Sequence, residues 1–365
     1  MRSFSQQISR IDQVVITASP GDAITSMAIA LRTQLREQVR SDIYALTVLP
    51  ELEGDILPIH RLNPDVPTSH LVYHLSFGEP QITSLLESRR QTISMIFHNL
   101  TPHTYFEEHS ARFATGLLWG EHELDRLREK WDLVVADSAF NAKFLEDRGY
   151  HDVKVLPLGV TVDRLAKRKG HLQLERDLRN RFPNGYLVVV AQQLPHKRIE
   201  LAISALSLLR HTYRRELGLV VVGPERIPSY SSALKVFAER LRVEDQLHFT
   251  GEIDDDSLAS VLRMSRCLLL TSDHEGLGIP PLEAMSLLVP VIARDVGAVR
   301  ETLRDGALVL PRDSGPCEFA SAVDYLLQHS EVQQRLLANG LARINSFRDE
   351  DRSTDVVKLL LEATL

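Results

Sequence analysis

Two carboxylates bracket a glycine-rich turn in His274-Glu-Gly-Leu-Gly-Ile-Pro-Pro-Leu-Glu283, and this is the stretch whose residue types and spacing could do chemistry. Gly276 and Gly278 have no Cβ, which lets backbone amides such as those near Leu277 approach a ligand closely. Pro280 and Pro281 suit the first positions of a helix, which Leu282, Ala284, Met285, Leu287 and Leu288 continue. A helix start reached through such a turn presents unpaired N–H groups and a helix dipole, and both favour phosphate. An acid beside a phosphate would repel it, so Glu275 and Glu283 are read instead as acceptors for hydroxyls of a sugar or a ribose. Each glutamate alone has a plainer reading: Glu275 as a solvated loop residue, Glu283 as a first-turn acid complementing the helix dipole. Their pairing around one turn favours the ligand site.

The elements that must position these groups follow from the pattern of apolar residues. Cys267-Leu-Leu-Leu-Thr271 is short and continuous, as expected of a strand buried on both faces. Further strands are expected at 14–17, 43–48, 70–75, 92–98 and 133–136, then at 186–191, 219–223, 246–250, 289–293 and 307–310. Helices are expected at about 23–39, 120–130, from Asp137 on, and at 199–210, 258–264, 318–328 and 331–337, with helix again to the end. Alternation of this kind predicts an α/β chain of parallel sheets with helices on both faces. Gly21 falls at a strand-to-helix turn, as a plain turn glycine or a ligand contact. Asp137 or Ser138 is expected to cap its helix, and Asp254, Asp255 and Asp256 read as an N-cap cluster rather than a metal cage. His98, His103 and His109 do not share a helical face and no Cys joins them, so no metal site is expected there.

At 365 residues the chain suits two domains of ordinary size. Its 42 basic and 49 acidic residues give a net charge of −7, which argues against general nucleic-acid binding. Cys267 and Cys317 stand far apart and suggest a reducing compartment without a disulfide framework. The N-terminus lacks the apolar run of a signal peptide, and no segment reaches the roughly 18 to 20 apolar residues that span a bilayer, so a cytoplasmic protein is expected. The basic stretch from Arg164 to Arg181 reads as a solvated linker and helix, or as a surface for acidic headgroups.

Glu275 to Glu283, followed by Ala284-Met-Ser-Leu-Leu-Val-Pro290 and on through Gly297 and Glu301, resembles the E-x7-E signature of the family-four retaining glycosyltransferases. That resemblance implies the GT-B fold, two Rossmann-like parallel-sheet domains facing a cleft. It implies an N-terminal acceptor domain over 1–165, a linker over 166–182, a nucleotide-sugar domain over 183–345 and a final helix within 346–365 crossing back. In that family the first Glu faces the donor sugar and the second holds the ribose, with the intervening amides on the diphosphate. These roles carry over to Glu275 and Glu283, and to Gly276, Leu277 and Gly278. Phe97-His-Asn-Leu-Thr-Pro102 resembles a YHNITP stretch of a bacterial subset, which implies that His98 faces the donor sugar and that Gly21 lines the cleft. Without the resemblance His98 reads as a strand-end histidine. The stretch 153–160 resembles the strand and turn leading out of the first domain, and Gly251-Glu-Ile253 resembles the loop under the base. Gly223 lies at a strand exit lining the donor cleft. The family commonly places Arg, then Lys five residues on, against the leaving diphosphate. Lys197 matches the Lys, but Gln192 stands where the Arg is expected. Glutamine donates a hydrogen bond without neutralising charge, so either Arg198 compensates or turnover is weaker.

Transfer from a nucleotide sugar requires stabilising the leaving phosphate, which Lys197 and helix N-terminal amides can do without a metal. The resemblance implies hexosyl transfer, and its Phe97 to Pro102 part alone implies mannose from GDP-mannose as first choice. The expected partners are a nucleotide-sugar donor and a glycan or lipid-linked acceptor of the cell envelope, with peripheral membrane contact and no further cofactor. The alternative is a degenerate GT-B protein acting as a non-catalytic, partner-binding subunit. The choice between guanine and uracil, the acceptor and the oligomeric state stay open on sequence.

Overall fold

The structure is a computed structural model that describes residues 8–63, 66, 69–156, 162–349 and 353–363. Residues 157–160, expected to lead out of the first domain, lie outside these. Contacts divide the chain into two compact units, Met1–Glu107 with Ala111–Val160 and Glu350–Leu365, and Thr161–Asp349 with Glu108–Ser110.

The first unit is built on strands β1 (Arg10–Ala18), β2 (Ile43–Val48), β3 (Leu57–Pro58), β4 (Ser69–Leu75), β5 (Ile93–Phe97), β6 (Leu133–Ala136) and β7 (Lys154–Val155). Its helices are α1 (Ala23–Leu35), α2 (Pro80–Ser88), α3 (Ala111–Leu127), α4 (Ala139–Glu146) and, from the end of the chain, α13 (Ser353–Glu362). Every strand pair is parallel, in the order β3-β2-β1-β4-β5-β6-β7. Parallel pairing needs crossover helices, which cover both sheet faces, so β4 and β5 are buried along their whole length. Val356, Val357 and Leu360 of α13 join Ile11, Met27 and Leu31 in one apolar cluster.

One expectation changes here. The helix expected from Gly120 starts instead at Ala111. Gly116 and Gly120 lie inside this helix and serve close packing. A Cβ at Gly116 would lie 1.8 Å from the Phe77 ring, and one at Gly78 would lie 2.2 Å from the Gly120 nitrogen. At the start of α4, Ser138 is the cap, accepting from the Asn141 amide at 3.2 Å, and Asp137 is turned elsewhere.

The second unit carries β8 (Tyr186–Val190), β9 (Gly218–Val222), β10 (Leu247–Gly251), β11 (Cys267–Leu270), β12 (Val291–Arg294) and β13 (Leu308–Leu310). Its helices are α5 (Leu172–Arg181), α6 (Ile199–His211), α7 (Pro228–Arg240), α8 (Asp255–Met264), α9 (Ile279–Ser286), α10 (Val299–Leu303), α11 (Pro316–Gln328) and α12 (Ser330–Asp349). The strand order is β10-β9-β8-β11-β12-β13, again all parallel. The stretch 166–182, expected as a linker, holds α5, whose single fully buried residue is Leu178. In both sheets the order runs outward in two directions, from β1 and β4 in one and from β8 and β11 in the other. Open α/β sheets bind ligands beyond the carboxyl ends of the strands at that reversal.

Adding a methyl group against the Phe77 ring overpacks this contact. Gly116→Ala is expected to destabilise the first unit by about 1–3 kcal/mol in denaturant unfolding.

Candidate functional site

In the second unit the loops that leave β8 and β11 are stitched to each other. The Asp273 amide donates to the His196 carbonyl at 2.8 Å, and Thr271 Oγ1 donates to the Lys197 carbonyl at 2.9 Å. Across this seam Lys197 Nζ reaches Glu275 Oε1 at 2.8 Å, and Arg198 Nη1 reaches Asp273 Oδ2 at 2.7 Å. Arg198 also donates from Nε to Glu200 at 2.6 Å, and it stands in the left-handed region as the residue ahead of α6. The buried Arg294 of β12 ties the third side, with Nη1 on Asp273 Oδ1 at 2.5 Å and Nη2 on the Arg312 carbonyl at 2.6 Å. Gly297 completes the frame. Its φ is +55°, and a Cβ there would lie 1.9 Å from the Glu275 carbonyl oxygen, which the Ala298 amide holds at 3.0 Å. Only glycine fits that position.

Beyond Glu275, Gly276 and Leu277 lead to Gly278, at φ +85°, immediately ahead of α9. The proline-led start of α9 and the turn before it agree with the sequence. Glu283 lies within α9, 5% exposed, and its Oε1 accepts from Arg164 Nη2 at 2.6 Å. Burial pushes the Glu283 carboxyl up from its usual range, and Arg164 opposes the rise.

Other expected residues sit at neighbouring strand ends. Gly223 follows β9 at φ +140°, where a Cβ would meet the Ala191 carbonyl at 2.1 Å, and its own amide donates to the Gly251 carbonyl at 3.0 Å. Gln192 and Ile253 are half-buried in the loops after β8 and β10. The adjacent Gln193, which sequence reasoning passed over, is buried and donates to the Gly223 carbonyl at 3.3 Å. Asp273 and Arg294 were also missed, since nothing in their sequence context marks them apart from surface charges. Arg164 was noted only as part of a basic stretch.

In the first unit Gly21, at φ +71°, follows β1, and Asp22 caps α1 by accepting from the Thr25 amide at 2.8 Å. His98 belongs to a buried hydrogen-bond chain. Gln13 Nε2 donates to the Ala28 carbonyl at 3.0 Å, which turns Gln13 Oε1 to His74 Nε2 at 2.8 Å. His74 Nε2 therefore carries a proton. Burial, with His98 adding to it, holds His74 well below the usual imidazole range. The neutral ring then accepts at Nδ1 from His98 Nε2, 2.8 Å away. His98 Nδ1 faces Asp137 Oδ2 at 3.4 Å, and Asp137 Oδ1 accepts from Asn141 Nδ2 at 2.5 Å. The two ring nitrogens of His98, which the resemblance sets facing a donor sugar, are turned to His74 and Asp137. His103 Nδ1 lies 3.0 Å from Glu121, and among the described residues no group of three or more His, Cys, Asp or Glu could hold a metal ion. Nor is any helix there long and apolar enough to cross a membrane.

The fold defines the class: two parallel-sheet Rossmann-like units, the GT-B architecture, seen also in Anabaena HepE in complex with UDP and glucose. That structure gives a TM-score of 0.74 at 15% identity, covering 97% of this chain and 98% of its own. The model of the family described as glycosyl transferases group 1 matches residues 173–343, within the second unit. A D-inositol 3-phosphate glycosyltransferase of Frankia alni is 29% identical over 248 residues, 64% of this chain and 58% of that protein. O-antigen chain mannosyltransferase B of Escherichia coli is 28% identical over 174 residues, 47% of this chain and 45% of that protein. The similarity thus spans about half the length of these curated relatives.

Two histidines flank the Lys197–Glu275 pair. Burial holds His196 well below its usual range, with Lys197 and His274 adding to it. Burial also brings His274 down to about 4, helped by Lys197 and Arg312 and opposed by Glu275. With the folded value depressed, the unfolded chain takes up the proton first as pH falls below about 6.5, so this contribution to stability is lost on acidification. Between pH 7 and pH 5 the wild type should lose about 1–2 kcal/mol more stability than His274→Gln, read from urea unfolding at the two pH values.

Proposed function

We propose that the protein is a family-four-like retaining glycosyltransferase that moves a hexose, mannose as first choice, from a nucleoside-diphosphate sugar to a polysaccharide or glycolipid acceptor of the cell envelope. The observation that carries this reading is the Lys197–Glu275 pair at 2.8 Å, set at the carboxyl ends of β8 and β11 with Glu283 following in α9. In this reading the bond from the anomeric carbon to the diphosphate oxygen breaks, and a bond from that carbon to the acceptor hydroxyl oxygen forms. The hydroxyl proton passes to the departing diphosphate, and the Lys197 ammonium meets the leaving oxygen's charge together with the amides from Gly276 to Gly278. Glu275, released from Lys197, accepts from sugar hydroxyls, and Glu283 accepts from the ribose. Gly223 and Ile253 border the donor and its base. The leaving charge is met by Lys197 and by amides, so turnover is proposed to need no metal. The mannosyl choice is supported by curated relatives named as mannosyltransferases, and a uracil base by the UDP bound to HepE. Arg198 is engaged by Asp273 and Glu200, which leaves the neutral Gln192 uncompensated in this proposal.

Calorimetric titration with GDP, GDP-mannose, UDP and UDP-glucose tests the donor site. One nucleotide series is expected to bind, and Glu283→Ala to weaken it by roughly tenfold or more, as for loss of a hydrogen bond to a charged group. Binding by none of the four would overturn the donor-site reading. With donor and acceptor in hand, Lys197→Ala is expected to lower kcat by about 10²–10³, the scale of removing one transition-state donor. EDTA should leave turnover unchanged. Gln192→Arg is expected to raise kcat, and no change would mean that leaving-group charge is already neutralised by another group.

A further inference from the structure

Arg164 stands 119 residues before Glu283 in the chain, yet its Nη2 is 2.6 Å from Glu283 Oε1. Chance surface pairing does not account for this, because the segment that carries Arg164 is clamped to α8. Arg164 Nη1 also pairs with Asp255, whose Oδ2 accepts from Arg168 at 2.7 Å. Arg263 Nη2 donates to the carbonyls of Leu165 and Ala166, each at 3.2 Å, and of Arg168 at 2.8 Å. Asp256 accepts from the amides of Lys169 and Gly170 at 3.1 and 3.3 Å, and Ser260 Oγ accepts from the His171 amide at 2.6 Å. Of the three successive aspartates, only Asp254 is spent on capping, through the Ser257 amide at 2.8 Å. The other two hold the Arg164 segment in place.

Glu283 is nearly buried, and among the described residues its Oε2 takes no hydrogen bond. A carboxylate in that setting loses solvation, which favours the protonated form, and a protonated carboxyl is a poorer acceptor. A guanidinium on one oxygen offsets that cost and restrains where that oxygen sits. It leaves the second oxygen with its acceptor capacity intact. We propose that Arg164 is a positioning residue of the nucleotide site, fixing Glu283 through Oε1 so that Oε2 is presented to the ribose hydroxyls of a nucleoside diphosphate. The inference rests on the donor-site reading above and adds to it the group that makes Glu283 competent. Arg164 touches no reacting atom in this role. It sets how strongly the site distinguishes a ribose from a sugar that lacks hydroxyls.

The test is calorimetry on the full chain with UDP and GDP, each against its 2′,3′-dideoxy analogue, for the wild type, Arg164→Ala, Arg164→Lys and Asp255→Asn. The wild type should prefer the ribonucleotide by roughly tenfold or more. Arg164→Ala should bind the dideoxy analogue as the wild type does while losing that preference, so that the two ligands bind alike. Arg164→Lys should restore part of the preference, and Asp255→Asn, which leaves Arg164 in place but less firmly held, should lose part of it. A merely structural role would weaken both ligands together and leave their ratio unchanged. That result would overturn the proposal, as would tighter ribonucleotide binding by Arg164→Ala, which would make Arg164 an obstruction. If Arg164→Ala does not fold, the Arg164→Lys and Asp255→Asn ratios decide. A wild type that binds neither nucleotide would sink the donor-site reading itself, an outcome distinct from a wild type that binds with a ratio insensitive to Arg164.

Discussion

The second unit depends on one seam, where the loops leaving β8 and β11 meet and Lys197 faces Glu275 at 2.8 Å. The seam exists because these two strands are neighbours from which the sheet runs outward in both directions, so their loops leave the sheet edge side by side. The ion pair itself contributes little to stability. Its side chains are 20% and 10% exposed, and at that depth the Coulombic attraction is largely offset by lost solvation. The seam's strength comes instead from backbone contacts, from Arg294 beneath Asp273 and from the close approach of Gly297 to the Glu275 carbonyl. A weakly stabilising pair on a strongly built frame can exchange partners without disturbing the fold.

The same logic resolves the difficulty of placing two acids beside amides that favour an anion. Each glutamate has its own base, Lys197 for Glu275 and Arg164 for Glu283, and each base comes from a distant part of the chain. The local charge is balanced before any ligand is considered. The two pairs differ in depth and in rigidity. The lysine, on a flexible stem, can turn toward a phosphate, whereas the arginine is held by the contacts of its segment with α8.

The first unit carries a polar chain of its own, running from the Ala28 carbonyl through Gln13, His74 and His98 to Asp137 and Asn141. It crosses β1 and β4 and reaches the residues that follow β5 and β6. Buried polar groups generally take partners, and the orientation of the Gln13 amide sets which His74 nitrogen donates and which accepts. His98 therefore has its orientation and hydrogen-bonding pattern set by groups on neighbouring strands.

The sequence alone determined the strand and helix alternation, both parallel sheets and the turn from Glu275 into α9, because buried parallel strands read as continuous apolar runs and glycine and proline punctuate turns locally. Through the resemblance it also singled out Lys197, Glu275, Glu283 and His98 as candidates, since motif spacing survives in one dimension. It misplaced the start of α3, because the close packing that seats Gly116 against Phe77 is a tertiary contact. It gave no sign that Asp273, Arg294 and Gln193 build the seam, or that Arg164 reaches Glu283. Those partners were decided only by the tertiary structure. A charge on an isolated loop has no preferred partner until the sheet order and the packing of α8 bring residues 119 positions apart within 2.6 Å of each other.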